Sequence, residues 1–262
     1  MERLILNMEF DRQQLFYPGL QVKIGDYIFN DGISLEIHSD RNKPCDWGRI
    51  RFTGEYQPRL TLAELSDVTV SLGYDGSLQD VFAGTLTSAY NGCGMDAVLF
   101  KDYMYKLEKT SMTACFKDCT PQDIIREGLL AAGIDRMQLS GSAYPAKKLF
   151  PVYSKNIVQL FKQINAAWGT DNRGYFVRGV FYWGSAPEQG EVLEFEYGSN
   201  IISLGRDYDM WELETISIPS MQHSQKISVV HPKITGEFET EKVIFRTNDA
   251  GFIRTTIYFK GV

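Results

Sequence analysis

Apolar and polar residues alternate along Leu20-Gln21-Val22-Lys23-Ile24, the two-residue period of a strand with one face buried. Asn30-Asp31-Gly32 marks a turn, and Ile33-Ser34-Leu35-Glu36-Ile37 resumes the alternation. Trp47 to Phe52 and Val68 to Leu72 repeat it. Asp75-Gly76 is a turn signal, Val81 to Tyr90 brings the chain back, and Asn91-Gly92 closes that strand. Short strands at regular spacing, with turn residues between them, predict a barrel or sandwich for the first hundred residues.

The middle of the chain changes period. Thr120-Pro121-Gln122-Asp123 has the form of a helix start: a hydroxyl cap, proline at the first helical position and an acid near the positive end of the dipole. Ile124, Ile125, Leu129 and Leu130 supply an apolar face, and Gly133 ends it. A second helix is predicted from near Ser154, with Ile157, Leu160, Phe161, Ile164 and Trp168 at helical spacing and Gly169 as its stop. Tyr175 to Trp183 reads as one strand, with Gly179 as a bulge or a point of close approach.

The last third returns to β. Leu193-Glu194-Phe195-Glu196-Tyr197 alternates, Trp211 to Ile218 is a strand ended by Pro219, and Lys226 to Val230 stops before His231-Pro232. Val243-Ile244-Phe245 and Ile253 to Phe259 flank the turn residues Asn248-Asp249-Ala250-Gly251. No repeat of fixed period is visible. The order is β, α+β, β, which divides the chain into an N-terminal β-barrel domain (1–98), a small α+β domain with two helices (99–188) and a C-terminal barrel-like region (189–262) open to completion by strands from the first part.

Composition narrows the function classes. The 262 residues are 44% hydrophobic and 23% charged, near globular averages. A net charge of −6 gives no general footprint for nucleic acid, and no dense Lys/Arg cluster appears. The apolar start Leu4 to Leu6 is interrupted by Asn7 and Glu9, too short for a signal sequence. No stretch approaches the roughly 18 apolar residues of a membrane span. Synthesis and folding in a cytoplasm are expected. Of the four cysteines, only Cys115 and Cys119 are close in sequence, and neither a second pair nor a nearby histidine completes a zinc set; free thiols are expected for these and for Cys45 and Cys93.

Candidate chemistry is sparse. His38, His223 and His231 lack metal-ligand spacing and fit strand ends. No serine-nucleophile elbow is present. Gly73-Tyr74-Asp75-Gly76 is a hairpin turn without the lysine of a phosphate loop, and Asn91-Gly92-Cys93-Gly94 reads as a turn before it reads as a thiol site. Glu194 and Glu196 share one strand face and could serve glycoside hydrolysis at about 5–9 Å apart, but they fit an ordinary solvated face. Tyr175, Phe176, Phe181, Tyr182 and Trp183 form either a core or a sugar- or partner-binding surface. No catalytic, cofactor-binding or metal-binding residue is assigned, and no cofactor.

Several segments in order resemble one family. Cys45-Asp46-Trp47-Gly48-Arg49-Ile50-Arg51-Phe52 resembles an early strand beside an acidic, functionally silent loop. Asp67 to Tyr74 followed by Val81-Phe82-Ala83-Gly84-Thr85-Leu86 resembles a strand, a Gly-Tyr turn and a returning strand. Thr120 to Ile125 with Ala132-Gly133-Ile134, Ser154 to Gly169, and Gly251 to Thr256 continue the likeness. The family is that of phage tail baseplate hub proteins: the late-control protein D group and the hub-like half of type VI secretion spikes.

The resemblance implies a mainly β fold with an α+β part: two tail-tube-like β-barrel domains plus a small α+β domain. It implies a non-enzymatic structural protein of a virion tail or phage-like particle, assembled in a bacterial cytoplasm. Three copies would form a ring between a six-fold tail tube and a three-fold spike. Its partners would be further copies of itself, the tail tube or tape-measure protein and a separate spike protein, with no specific nucleic-acid binding and no membrane insertion. The alternatives are a carbohydrate- or receptor-binding tail module, a peptidoglycan hydrolase, or another tail part such as a distal tail protein. Exposed Trp or Tyr in a groove would favour the binding module; burial of Tyr182 and Trp183 would not.

Overall fold

The computed structural model describes residues 17–52, 61–89, 97–190, 192–247 and 252–261. The first third holds seven strands: β1 (Pro18–Ile24), β2 (Tyr27–Phe29), β3 (Ile33–Asp40), β4 (Trp47–Phe52), β5 (Asp67–Tyr74), β6 (Ser77–Leu86) and β7 (Val98–Asp102). The middle holds α1 (Met104–Lys109), β8 (Ser111–Cys119), α2 (Pro121–Ala131), β9 (Met137–Leu139), β10 (Lys147–Asn156), α3 (Ile157–Trp168), β11 (Gly174–Val177) and β12 (Val180–Trp183). The last third holds β13 (Leu193–Glu196), β14 (Ile201–Asp207), β15 (Met210–Ile216), β16 (Lys226–His231), β17 (Ile234–Thr247) and β18 (Ile253–Lys260).

The first and last thirds share one sheet, in the order β14-β15-β18-β17-β3-β4-β7-β6-β5-β1-β2. The seam is the antiparallel pair of β17 and β3, in the register Phe245↔Ile37 and Arg246↔Glu36. The long β17 serves two partners on that side. Its second half meets β3, while its first half pairs with β16, which in turn pairs with β13 in parallel. A register shift between Thr240 and Lys242 separates the halves, as a bulge bends a strand. Among the described residues this path is open, ending at β14 and β2, and no closed barrel forms.

One core runs under the sheet from Val22, Ile37, Ile50 and Phe100 to Phe195, Leu213, Phe245 and Phe259. A second core lies in the middle third, among Leu107, Ile124, Leu129, Leu160, Ile164, Phe181 and Trp183. The fold is therefore mainly β with few helices.

The middle helices begin and end where local chemistry sets them. Thr120 caps α2, and its hydroxyl and the Asp123 carboxylate satisfy each other's backbone N–H groups. Beyond the last turn, Gly133 at φ 71 donates to the Leu130 carbonyl and Ile134 donates to Leu129, a complete Schellman ending. α3 begins three residues later than the sequence suggests. Asn156 is its cap and accepts from the Gln159 N–H at 2.8 Å, while Ser154 still belongs to β10. The single strand expected over Tyr175–Trp183 is a hairpin, β11 and β12, turning at Arg178-Gly179. Both turn residues have positive φ, as a two-residue hairpin loop of this kind requires. Gly179 is also a close approach: a Cβ there would sit 3.0 Å from that of Ala83 in β6.

Candidate functional site

A small cavity of about 180 Å³ lies between the middle third and the loops of the β body, lined among others by Asp40, Arg41, Cys45, Asp102, Arg173 and His223. Its acidic side comes from the β3–β4 loop and the end of β7. The Asp102 carboxylate accepts from the Asp46 N–H at 2.9 Å, the Met104 N–H at 2.9 Å and the Cys45 thiol at 3.0 Å. The Asp46 carboxylate accepts from the Asp40 N–H at 3.1 Å.

Burial raises both carboxyl groups well above the ordinary carboxylate range, and for Asp46 the charge of Asp102 adds to it. Burial, and then the Asp102 charge, also pushes the Cys45 thiol up, so it stays protonated and lacks the thiolate a nucleophile needs. Across the cavity, burial together with the Arg173 and Arg41 charges brings His223 down to about 4. His223 Nδ1 bonds Ser224 Oγ at 3.0 Å.

Two arginines of the middle third, Arg173 at this cavity and Arg178 away from it, fasten that third to the β body. The Arg173 guanidinium donates to the carbonyls of Arg41 and Lys43. Arg178 donates to the Pro219 carbonyl at 2.9 Å. The arrangement holds one part of the protein against another.

The residues singled out by sequence fall in separate places. His38 stacks on Trp47 at 4.1 Å and bonds Glu36 at 2.8 Å; His231 Nδ1 accepts from the Lys233 N–H at 3.0 Å. Among the described residues no group of three or more His, Cys, Asp or Glu is placed to hold a metal ion. Glu194 and Glu196 both point outward from β13 while Phe195 is fully buried between them, the solvated-face arrangement. Gly73-Tyr74-Asp75-Gly76 does span the β5–β6 hairpin turn. Cys45, Cys115 and Cys119 are free thiols; the Asn91-Gly92-Cys93-Gly94 segment lies outside the described residues. Of the aromatic cluster, Phe176, Phe181, Tyr182 and Trp183 are core residues. Burial of Tyr182 and Trp183 does not favour the sugar-binding reading of this cluster.

Sequence reasoning missed the Asp46–Asp102 pair and Arg173. One signal was available for Asp102. Val98 and Phe100 occupy the inward positions of β7, and Asp102 is next in that phase, so its carboxylate had to be buried. Arg173 carries no such signal, because its partners are carbonyls of a loop about 130 residues earlier.

No protein-family model matches the sequence, and no curated protein matches it. Solved structures do. The 43 kDa tail protein of prophage MuSo2 from Shewanella oneidensis superposes with a TM-score of 0.66 at 10% identity, over 92% of this chain and 97% of that one. The tail protein from Neisseria meningitidis MC58 gives 0.64 at 14% identity, over 94% and 96%. The E. coli c3393 protein is described as a component of the type VI secretion system with structural similarity to the T4 bacteriophage tail proteins gp27 and gp5. It gives 0.64 at 13% identity, over 92% of this chain and 76% of that one. The fold is thus that of phage tail proteins. It extends to a type VI secretion component, and it is shared along nearly the whole chain.

Proposed function

We propose that this chain is a structural, non-enzymatic baseplate hub subunit of a phage or phage-like contractile particle. Its place is the tail of the virion or particle, assembled in the bacterial host. In this reading three copies form a ring that joins the tail tube to the central spike. Residues 1–98 and 189–262 would act as the two tail-tube-like units and 99–188 as the small α+β unit beside them. Three copies with two such units each present six similar positions to the tube and a three-fold face to a separate spike protein. The other partner is the tail tube or the tape-measure protein.

The observation that carries the reading is the near full-length fold match to tail proteins. The shared sheet supports it, because it joins strands of the first and last thirds of the chain directly. The buried aromatic cluster supports it over the carbohydrate-binding alternative. The test is the solution mass by light scattering, with negative-stain imaging of the same peak. The expected result is about three times the 29.8 kDa chain mass and a ring with a central hole. A monomer at every concentration, with and without the tube and spike proteins, would remove the hub reading.

A further inference from the structure

The outward face of β3, β4, β7 and β17 concentrates basic side chains in a chain of net charge −6. Strand register sets Arg254, Arg246, Glu36, Arg49 and Leu99 side by side in one row across five strands. Arg51 lies in the next row of the same face, opposite Ser34. Four arginines therefore share this face with the Glu36 carboxylate. Arg49 reaches Glu36 at 2.8 Å through Nε and Arg246 reaches it at 3.4 Å, while Arg51 makes no ion pair among the described residues. Arg246 and Arg254 are directly opposite, a like-charge pair that disfavours the isolated sheet. Trp47 and Leu99, 37% and 48% exposed, stand in the same face beside these charges. Exposed Trp and Leu ringed by Arg is the composition of an interface centre.

The opposite charge gathers on the outward face of β13, β16 and the first half of β17. Glu194, Ser228 and Glu237 share one row, and Glu196 and Val230 the next. Glu194, Glu196 and Glu237 make no ion pair among the described residues, and Tyr197 and Val230, 62% and 39% exposed, lie beside them. Glu237 and Arg246 are on one strand, about 30 Å apart along it. That exceeds the screening length of about 8 Å at physiological salt, so the two faces do not neutralise each other within one chain.

We infer that these faces meet between copies: the arginine face of one subunit docks on the glutamate face of the next, with Trp47 and Leu99 against Tyr197 and Val230. Such a contact is head-to-tail, and it closes into a ring when its rotation allows. The inference rests on the ring reading above and names the surfaces that would build it.

The test uses the full chain and two double variants, Arg51→Glu with the half-buried Arg254→Glu, and Glu194→Lys with Glu196→Lys at exposed positions. Each variant alone is expected to run as a monomer with unchanged melting. An equal mixture should associate again, because both contacts between unlike variants pair an acidic face with a basic one. For the unaltered chain, assembly should weaken about tenfold between roughly 0.05 M and 0.5 M salt. Variants that remain rings, or assembly indifferent to salt, would overturn the inference and leave the ring reading intact. An unaltered chain that stays monomeric would remove both. Duplex DNA binding lost only in the arginine variant would reassign that face to nucleic acid.

Discussion

The β body and the α+β unit bury cores of similar chemistry but assemble them from different distances along the chain. The β body depends on contacts such as Leu35 N–H to Thr247 Oγ1, 212 residues apart, and its seam joins β3 to β17. The α+β core closes within residues 104–183, through a capped helix, a second helix and a hairpin that are neighbours in sequence. Local closure costs less loop entropy than joining distant ends. The difference teaches that the two thirds flanking the middle are one thermodynamic object, while the middle has the means to order itself and is joined to them by a few polar contacts.

The sharpest way to break that comparison is to empty the seam. Phe245→Ala in β17 should cost about 3–5 kcal/mol, as large-to-small changes in a packed core do. Hydrogen exchange should then quicken together in β3 and β17 while α2 and α3 keep their protection. If α2 and α3 lose protection in step, the molecule is a single cooperative unit and the comparison fails.

A smaller effect sharpens it from the other side. Thr120→Ala removes the hydroxyl half of the α2 capping box, leaving the backbone N–H that donates to Asp123, and should cost about 0.5–2 kcal/mol. The loss should show as faster exchange in α2, with β3 and β17 unchanged in the same experiment.

The smallest effect concerns the joint. The raised Asp46–Asp102 pair keeps protons that the unfolded chain releases near pH 4, so its contribution to stability is full below that pH and is lost as pH rises through neutrality. His223 acts in the opposite sense. Its lowered pKa makes the folded state refuse a proton between about 4 and about 6.5, so stability rises with pH over that window. Asp46→Asn should therefore flatten the decline between about pH 4 and about 8 and leave the slope above about 8 unchanged. Urea midpoints measured from pH 4 to 9 would show this; an unchanged decline would mean that the pair's proton is not held at Asp46.

Much of this architecture could be read from residue order, and the reasons for the rest are physical. β4 appears at the predicted bounds, and β1, β3 and β5 within a few residues, because each has one buried face and therefore a clean alternation. α2 was legible because Thr120, Pro121, Asp123 and Gly133 act locally. β8 and β10 were missed: they form a two-stranded sheet whose outer face, with Cys115, Leu149 and Tyr153 exposed, mixes apolar and polar residues on the solvent side. The β11–β12 turn was missed because Arg178 takes positive φ in place of the usual Asn or Asp. The Glu194–Glu196 face was recognised as solvated, but the arginine face was invisible, since its rows are assembled by register from strands far apart in sequence.

The shared sheet also sets a timetable for synthesis. At about 5–20 residues per second, β3 leaves the ribosome some tens of seconds before β17 exists to pair with it. Through that interval the middle third can already fold, while β3 and its hairpin partner β4 wait with an unpaired strand edge of the kind that invites misassembly. A cell producing this protein must shelter a half-built sheet on every chain it translates, and the last strands to emerge are the ones that end the exposure.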